Sequence, residues 1–162
     1  MTLNPTPNLL ENLYWITLIA VVVSSASGVL KAGFKKYDLF GVIIIAIATG
    51  LGGGSLRDML LDRPVFWIND QVFFIASLGS AVAIFIAARL VVVPPRFFLI
   101  ADAAGLATFG IAGTLVSLMV GAPPLLASFM GVMTGTMGGI FRDVLCNEPP
   151  VVFHSSLYAT VS

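Results

Sequence analysis

Thr49-Gly50-Leu51-Gly52-Gly53-Gly54-Ser55-Leu56-Arg57-Asp58-Met59-Leu60 recurs without a gap as Thr134-Gly135-Thr136-Met137-Gly138-Gly139-Ile140-Phe141-Arg142-Asp143-Val144-Leu145. The register continues past both ends, with Asp62 on Asn147, Pro64 on Pro149 and, upstream, Gly28 on Gly113. Agreement of this length marks two copies of one supersecondary unit. Each copy lies in a long apolar stretch, so what surrounds it decides the fold.

Hydrophobic residues make up 58% of the chain and charged residues 10%, where a soluble domain carries about 25% charged. A water-facing surface cannot be built from that supply. Uncharged runs cover residues 12–30, 39–56, 71–88 and 103–141. The first three match the roughly 20 residues a helix needs to cross the hydrocarbon. The fourth allows two crossings, with Gly121-Ala122-Pro123-Pro124 as the break between them. Helices are therefore predicted over 13–30, 39–60, 71–93, 97–120 and 125–145, with a sixth starting near Val151. Tyr14, Trp15 and Trp67 suit an interfacial aromatic belt.

The predicted fold class is an all-α membrane protein forming a single transmembrane domain, with one repeat over about 9–93 and the other over about 97–162. Each motif copy sits on the second helix of a three-helix unit. An odd number of crossings then sets the two units in opposite orientations, an inverted repeat. The tract 151–162 is too short to span, so the last helices are expected to be truncated, with a C-terminal part absent from this sequence. Lys31, Lys35 and Lys36 follow the first helix, and Arg89 and Arg96 flank the link between the third and fourth. Both links share a side, which the positive-inside rule makes cytosolic, leaving the N-terminus outside an inner or plasma membrane.

The glycines have two competing purposes. Gly52, Gly53 and Gly54 each cost a helix roughly 1 kcal/mol relative to Ala, so the second helix is predicted to break there, and the fifth more mildly at Gly135, Gly138 and Gly139. Carbonyls freed by a break need a hydrated cavity or neighbouring helices, and such interruptions at matching places in inverted halves point to a transport pathway. Against this, Gly50 with Gly54 and Gly135 with Gly139 have the GxxxG spacing of close helix packing. Arg57, Asp58, Arg142 and Asp143 lie one or two turns further on. Ionisable groups at such depth face a bundle interior or water, as pore-lining charges or as structural ion pairs and anchors. Asp102 stands open to attracting cations, to pairing with Lys31, Lys35 or Arg96, or to capping near the cytosolic boundary.

Other classes are excluded or unsupported. Formal net charge is zero, which provides no basic field for nucleic acid. Cys146 and His154 are the single cysteine and the single histidine, too few ligands for zinc or haem; Cys146 reads as a small buried thiol. Nor does any Lys or Arg precede Lys31, against a cleaved secretory leader. The glycine run misses the last glycine of G-x-G-x-x-G and follows no strand. With no nucleophile beside a base, nothing points to an enzyme.

The motif at residues 48–58, its echo at 135–143 and Asp102-Ala103-Ala104-Gly105-Leu106-Ala107 resemble the prokaryotic branch of the trimeric intracellular cation channel (TRIC) family, whose bacterial members are also grouped as a glycine-transporter-type (UPF0126) domain. The resemblance covers nearly the whole chain. It implies two inverted three-helix repeats and a seventh helix, in a homotrimer with a potassium-favouring pore in every protomer. This sequence departs from that pattern by ending within the sixth segment, and by having Met137 where the first motif copy has Gly52.

The functional expectation is a monovalent cation channel whose pathway runs between the glycine-broken second and fifth helices, walled by the first and fourth. Freed carbonyls and the hydroxyls of Thr49, Ser55, Thr134 and Thr136 would partly replace ion hydration. Arg57 and Arg142 would set charge and gating at the mouths, with Asp58 and Asp143 orienting them. The expected partners are the lipid bilayer and two further copies of the chain. No cofactor is expected beyond permeant potassium or sodium and bound lipid. The alternative is a carrier for a small zwitterion such as glycine, using the same two breaks.

Overall fold

A computed structural model describes residues 6–153 except 34, 36 and 92. His154, Lys36 and the sixth predicted helix beyond residue 153 therefore lie outside the described residues. Helix α1 spans Pro7–Gly33, α2 Leu39–Leu60, α3 Phe66–Asn69, α4 Gln71–Leu90, α5 Pro95–Met119 and α6 Pro124–Leu145, followed by a single 3-10 turn at Val151–Phe153. All but α3 are long and apolar enough to cross a membrane. The predicted bounds of α2 are reproduced because Asp38 caps its first turn, accepting from the Gly41 amide at 2.9 Å. The short helix α3 was not anticipated; it is one turn between Pro64 and the Asp70 cap of α4.

Polarity is arranged inside out. Arg57, Asp58, Arg142 and Asp143 are each no more than 2% exposed, while Trp15, Phe40, Ile75, Leu125, Phe129 and Val132 face outward. Water would reject that surface, whereas hydrocarbon accepts it and drives the charges inward to pair.

The sequence repeat returns as repeated geometry. At Gly28 a Cβ would meet Ala46 and Thr49 of α2; at Gly113 it would meet Gly131 and Thr134 of α6. Asp62 and Asn147 both take a left-handed conformation, φ 52° and 54°, just past the two motif helices, a conformation Asp and Asn tolerate better than most residues. Between the halves, Gly53 lies against the Thr134 carbonyl and Gly138 against the Thr49 carbonyl. These reciprocal contacts make α2 and α6 antiparallel, so the two repeats are inverted.

One expectation is corrected here. Both α2 and α6 are continuous through their glycines, so neither helix is broken, and their carbonyls stay within the helices. The glycines are used for approach. A Cβ at Gly53 or Gly138 would fall on a backbone carbonyl of the opposing helix, and one at Gly52 on the Phe141 ring. Close contact returns in dispersion and packing what the glycines cost in helix propensity.

One end of the bundle gathers Lys31, Lys35 and Arg89. Lys31 and Lys35 both pair with Glu148, Lys35 at 2.8 Å, joining the end of α1 to the end of α6. Tyr37 and Arg89 line a shallow cavity at that same end.

Two measurements check this packing. Gly53→Ala and Gly138→Ala should each lower unfolding stability in detergent by about 1–3 kcal/mol through overpacking. Gly79→Ala, where a Cβ meets nothing within 4 Å, should be neutral or stabilising. Equal effects at all three would refute the close crossing. The second is an acid titration. Hydrogen bonds from Lys31 and then Lys35 hold the Glu148 carboxyl at about 2, below its usual 4.5. A depressed carboxyl stabilises fully above its unfolded value, so this contribution is present above pH 4.5 and lost as pH falls toward about 2. Glu148→Gln should remove that part of the acid dependence of the melting temperature.

Candidate functional site

The motif charges form two latches, one at each end of the α2/α6 crossing. At the first, Arg57 Nε donates to Asp58 Oδ1 at 2.9 Å, and the other carboxylate oxygen accepts from the Phe66 amide at 3.0 Å. At the second, Arg142 Nε donates to Asp143 Oδ1 at 2.8 Å, and Asp143 Oδ2 accepts from the Val151 amide at 3.0 Å. In both, the aspartate locks the arginine and ties down the backbone after the helix. A buried charge is tolerable only when so paired.

The latches differ in what else they hold. Arg142 Nη1 also donates to Asp102 Oδ1 of α5 and to the Ser27 hydroxyl of α1, and its guanidinium lies 4.7 Å from the Phe98 ring centroid. Arg57 Nη1 is buried and has no acceptor among the described residues. Asp102 thus pairs with Arg142, while Lys31 and Lys35, two of its anticipated partners, are both bound by Glu148. Sequence reading could not find the Asp102–Arg142 pair because it joins different helices far apart in the chain.

Around the second latch lies a small polar chamber of about 40 Å³, lined by Asp102, Thr136, Gly139, Arg142, Asp143 and Val151 among others. Space of that size admits a few waters at roughly 10–15 Å³ each. Gly139 lines it without crowding, since even a Cβ there would stand 3.9 Å from Asp102 Oδ1. At the first latch the equivalent space is filled: the Phe66 ring packs on Gly54, with Cε1 2.6 Å from where a Cβ would be. Beside it, Trp67 Nε1 donates to the Ser55 hydroxyl at 2.9 Å.

The other predicted site residues divide by place. Thr49 and Thr134 are buried beside Gly28 and Gly113, and their hydroxyls donate to the Ile45 and Met130 carbonyls at 2.6 Å. Ser55 donates to the Leu51 carbonyl and Thr136 to the Val132 carbonyl. Gly50 packs against Ser25 and the Val21 carbonyl, and Gly135 against the Leu106 carbonyl. The structure therefore brings Asp102, Thr136, Gly139, Arg142 and Asp143 to one chamber and leaves Thr49, Gly53, Thr134 and Gly138 in the packed seam. Cys146 is a buried free thiol, and among the described residues no acidic, histidine or cysteine cluster could hold a metal.

Comparison with known proteins places this geometry. The family described as Glycine transporter matches residues 14–89 and 99–162. The UPF0126 inner membrane protein YadS of Escherichia coli (strain K12) is 39% identical over 149 residues, 91% of this chain and 72% of that protein. A solved TRIC trimeric intracellular cation channel orthologue from Rhodobacter sphaeroides is 38% identical, with a TM-score of 0.84 over 91% of this chain and 77% of its own. The chain belongs to the prokaryotic TRIC family. A further prokaryotic TRIC channel, crystallised in 0.5 M KCl, is 31% identical, with a TM-score of 0.85 over 93% of this chain and 78% of its own. The TRIC resemblance carried by the two motif copies and Asp102 is thus borne out at the level of family.

In this TRIC-family chain the first latch should behave as a coupled unit. Arg57→Met and Asp58→Leu should each destabilise by about 3–5 kcal/mol, since either leaves a buried charge unpaired. The double variant should cost clearly less than the two together. Additive losses in chemical unfolding would show that the pair is not coupled.

Proposed function

We propose that this protein conducts monovalent cations across the inner membrane, favouring potassium, as a homotrimer with one pathway in each protomer. The observation that carries this reading is its likeness, above 30% identity, to two solved TRIC channels. The polar chamber supports it independently. Asp102, about one-third exposed, offers a carboxylate to an entering cation, while Arg142 is fixed by Asp143. The gathering of Lys31, Lys35 and Arg89 at this end supports reading it as the cytosolic mouth, with the N-terminus outside.

The pathway follows the α2/α6 face, with α1 and α5 as walls, and the crossing at Gly53 and Gly138 is its closed constriction. Conduction then requires α2 and α6 to part or bend at the glycines, where bending is least costly. The hydroxyl oxygens of Thr49, Ser55, Thr134 and Thr136 keep lone pairs after donating to their own helices, so they remain available to a passing ion. Bound lipid would fill the apolar groove beside Ile111, Val132 and Thr136.

Potassium, sodium and glycine should be compared in one reconstituted preparation. The channel reading expects unitary currents, larger in potassium than in sodium, and no saturable glycine uptake. Glycine uptake without unitary currents would establish the carrier in its place.

A further inference from the structure

The two halves match closely, and they part company at one charged position. The register that lays Gly28 on Gly113 also lays Thr17 on Asp102 and Ser27 on Ala112. Asp102 and Ser27 are the additional acceptors of Arg142 Nη1. At the first latch their counterparts are Thr17 and Ala112. Thr17 is neutral, with its hydroxyl donating to the Leu13 carbonyl at 2.7 Å, and Ala112 has no polar side-chain atom. Among the described residues, Arg57 Nη1 is left buried without an acceptor.

The electrostatic consequence is local. Counting the groups paired with each arginine, Arg142 with Asp102 and Asp143 sums to one negative charge and Arg57 with Asp58 to zero; Lys31, which shares the Phe98 ring with Arg142, is bound by Glu148, and Arg63 adds a further positive charge near Arg57. A cation near the cytosolic latch meets a carboxylate surplus. Near the outer latch it meets a guanidinium only just balanced, with one N–H unshared, behind the Phe66 ring. In a low-dielectric interior that difference of one charge is felt strongly.

We propose that Thr17 sets the electrostatic barrier to cations at the outer mouth, by withholding from Arg57 the carboxylate that Asp102 gives to Arg142. The residue acts through Arg57 and is a positioning residue for permeation. This inference rests on the channel reading above.

The test uses unitary currents of the reconstituted protein in potassium, in neutral lipid, for wild type, Thr17→Asp, Thr17→Asn and Asp102→Asn. Thr17→Asp should raise unitary conductance and keep the protein monodisperse, because the new carboxylate meets Arg57 Nη1. Thr17→Asn supplies an acceptor without charge and should not raise it. Asp102→Asn removes the surplus charge at the other latch and should lower conductance. A Thr17→Asp protein that conducts no better than wild type, or that fails to fold, overturns the inference. So does an equal rise with Thr17→Asn, since hydrogen bonding rather than charge would then be responsible. If wild type gives no unitary current at all, the channel reading falls and this inference with it; the first three outcomes leave that reading standing.

Discussion

The structure depends on the backbone-to-backbone approach of α2 and α6. Gly53 sits on the Thr134 carbonyl and Gly138 on the Thr49 carbonyl, a contact that no residue with a Cβ could make. Lipid tails are as apolar as the side chains they would displace, so burying hydrocarbon gives two helices little reason to associate in a bilayer. Close packing of small residues does. The reciprocal form of the contact means that a single geometry, used twice, joins the inverted halves.

From that seam the positions of the charges follow. Each motif carries its Arg-Asp pair one turn beyond the glycines, so closing the seam draws both pairs inside, to 2% exposure or less. A buried guanidinium in that setting is costly unless it is paired. Arg142 is held by Asp143 and Asp102 beside the small chamber, whereas Arg57 has Asp58 and an aromatic cover. The same motif thus produces an open latch and a covered one, and the difference comes from residues outside it: Asp102 against Thr17, and Val151 and Val152 against Phe66 and Trp67.

Much of this was legible in the sequence. Length and uncharged runs gave all five long helices, and the bounds of α2 agree with the prediction because a cap and the motif end both mark it. The repeat of Gly-Gly-x-x-Arg-Asp gave the two-fold arrangement and the latches. The glycines were misjudged as helix breaks, because propensity measured in water ignores what a close neighbour returns. A single sequence does not say which helix face meets another. For the same reason the Asp102–Arg142 pair, which joins α5 to α6, and the Phe66 ring over Gly54 could not be read from spacing. The helix α3 escaped because one turn has no periodicity to detect.

Amide hydrogen exchange in lipid nanodiscs at residues 50–56 and 135–141 tests the continuous, closely packed crossing most directly. Unbroken helices pressed together at Gly53 and Gly138 predict slow exchange at both stretches, comparable to the centres of α1 and α5. Rapid exchange confined to the glycines would show broken helices with solvated backbone, and would contradict the packed seam on which the account is built.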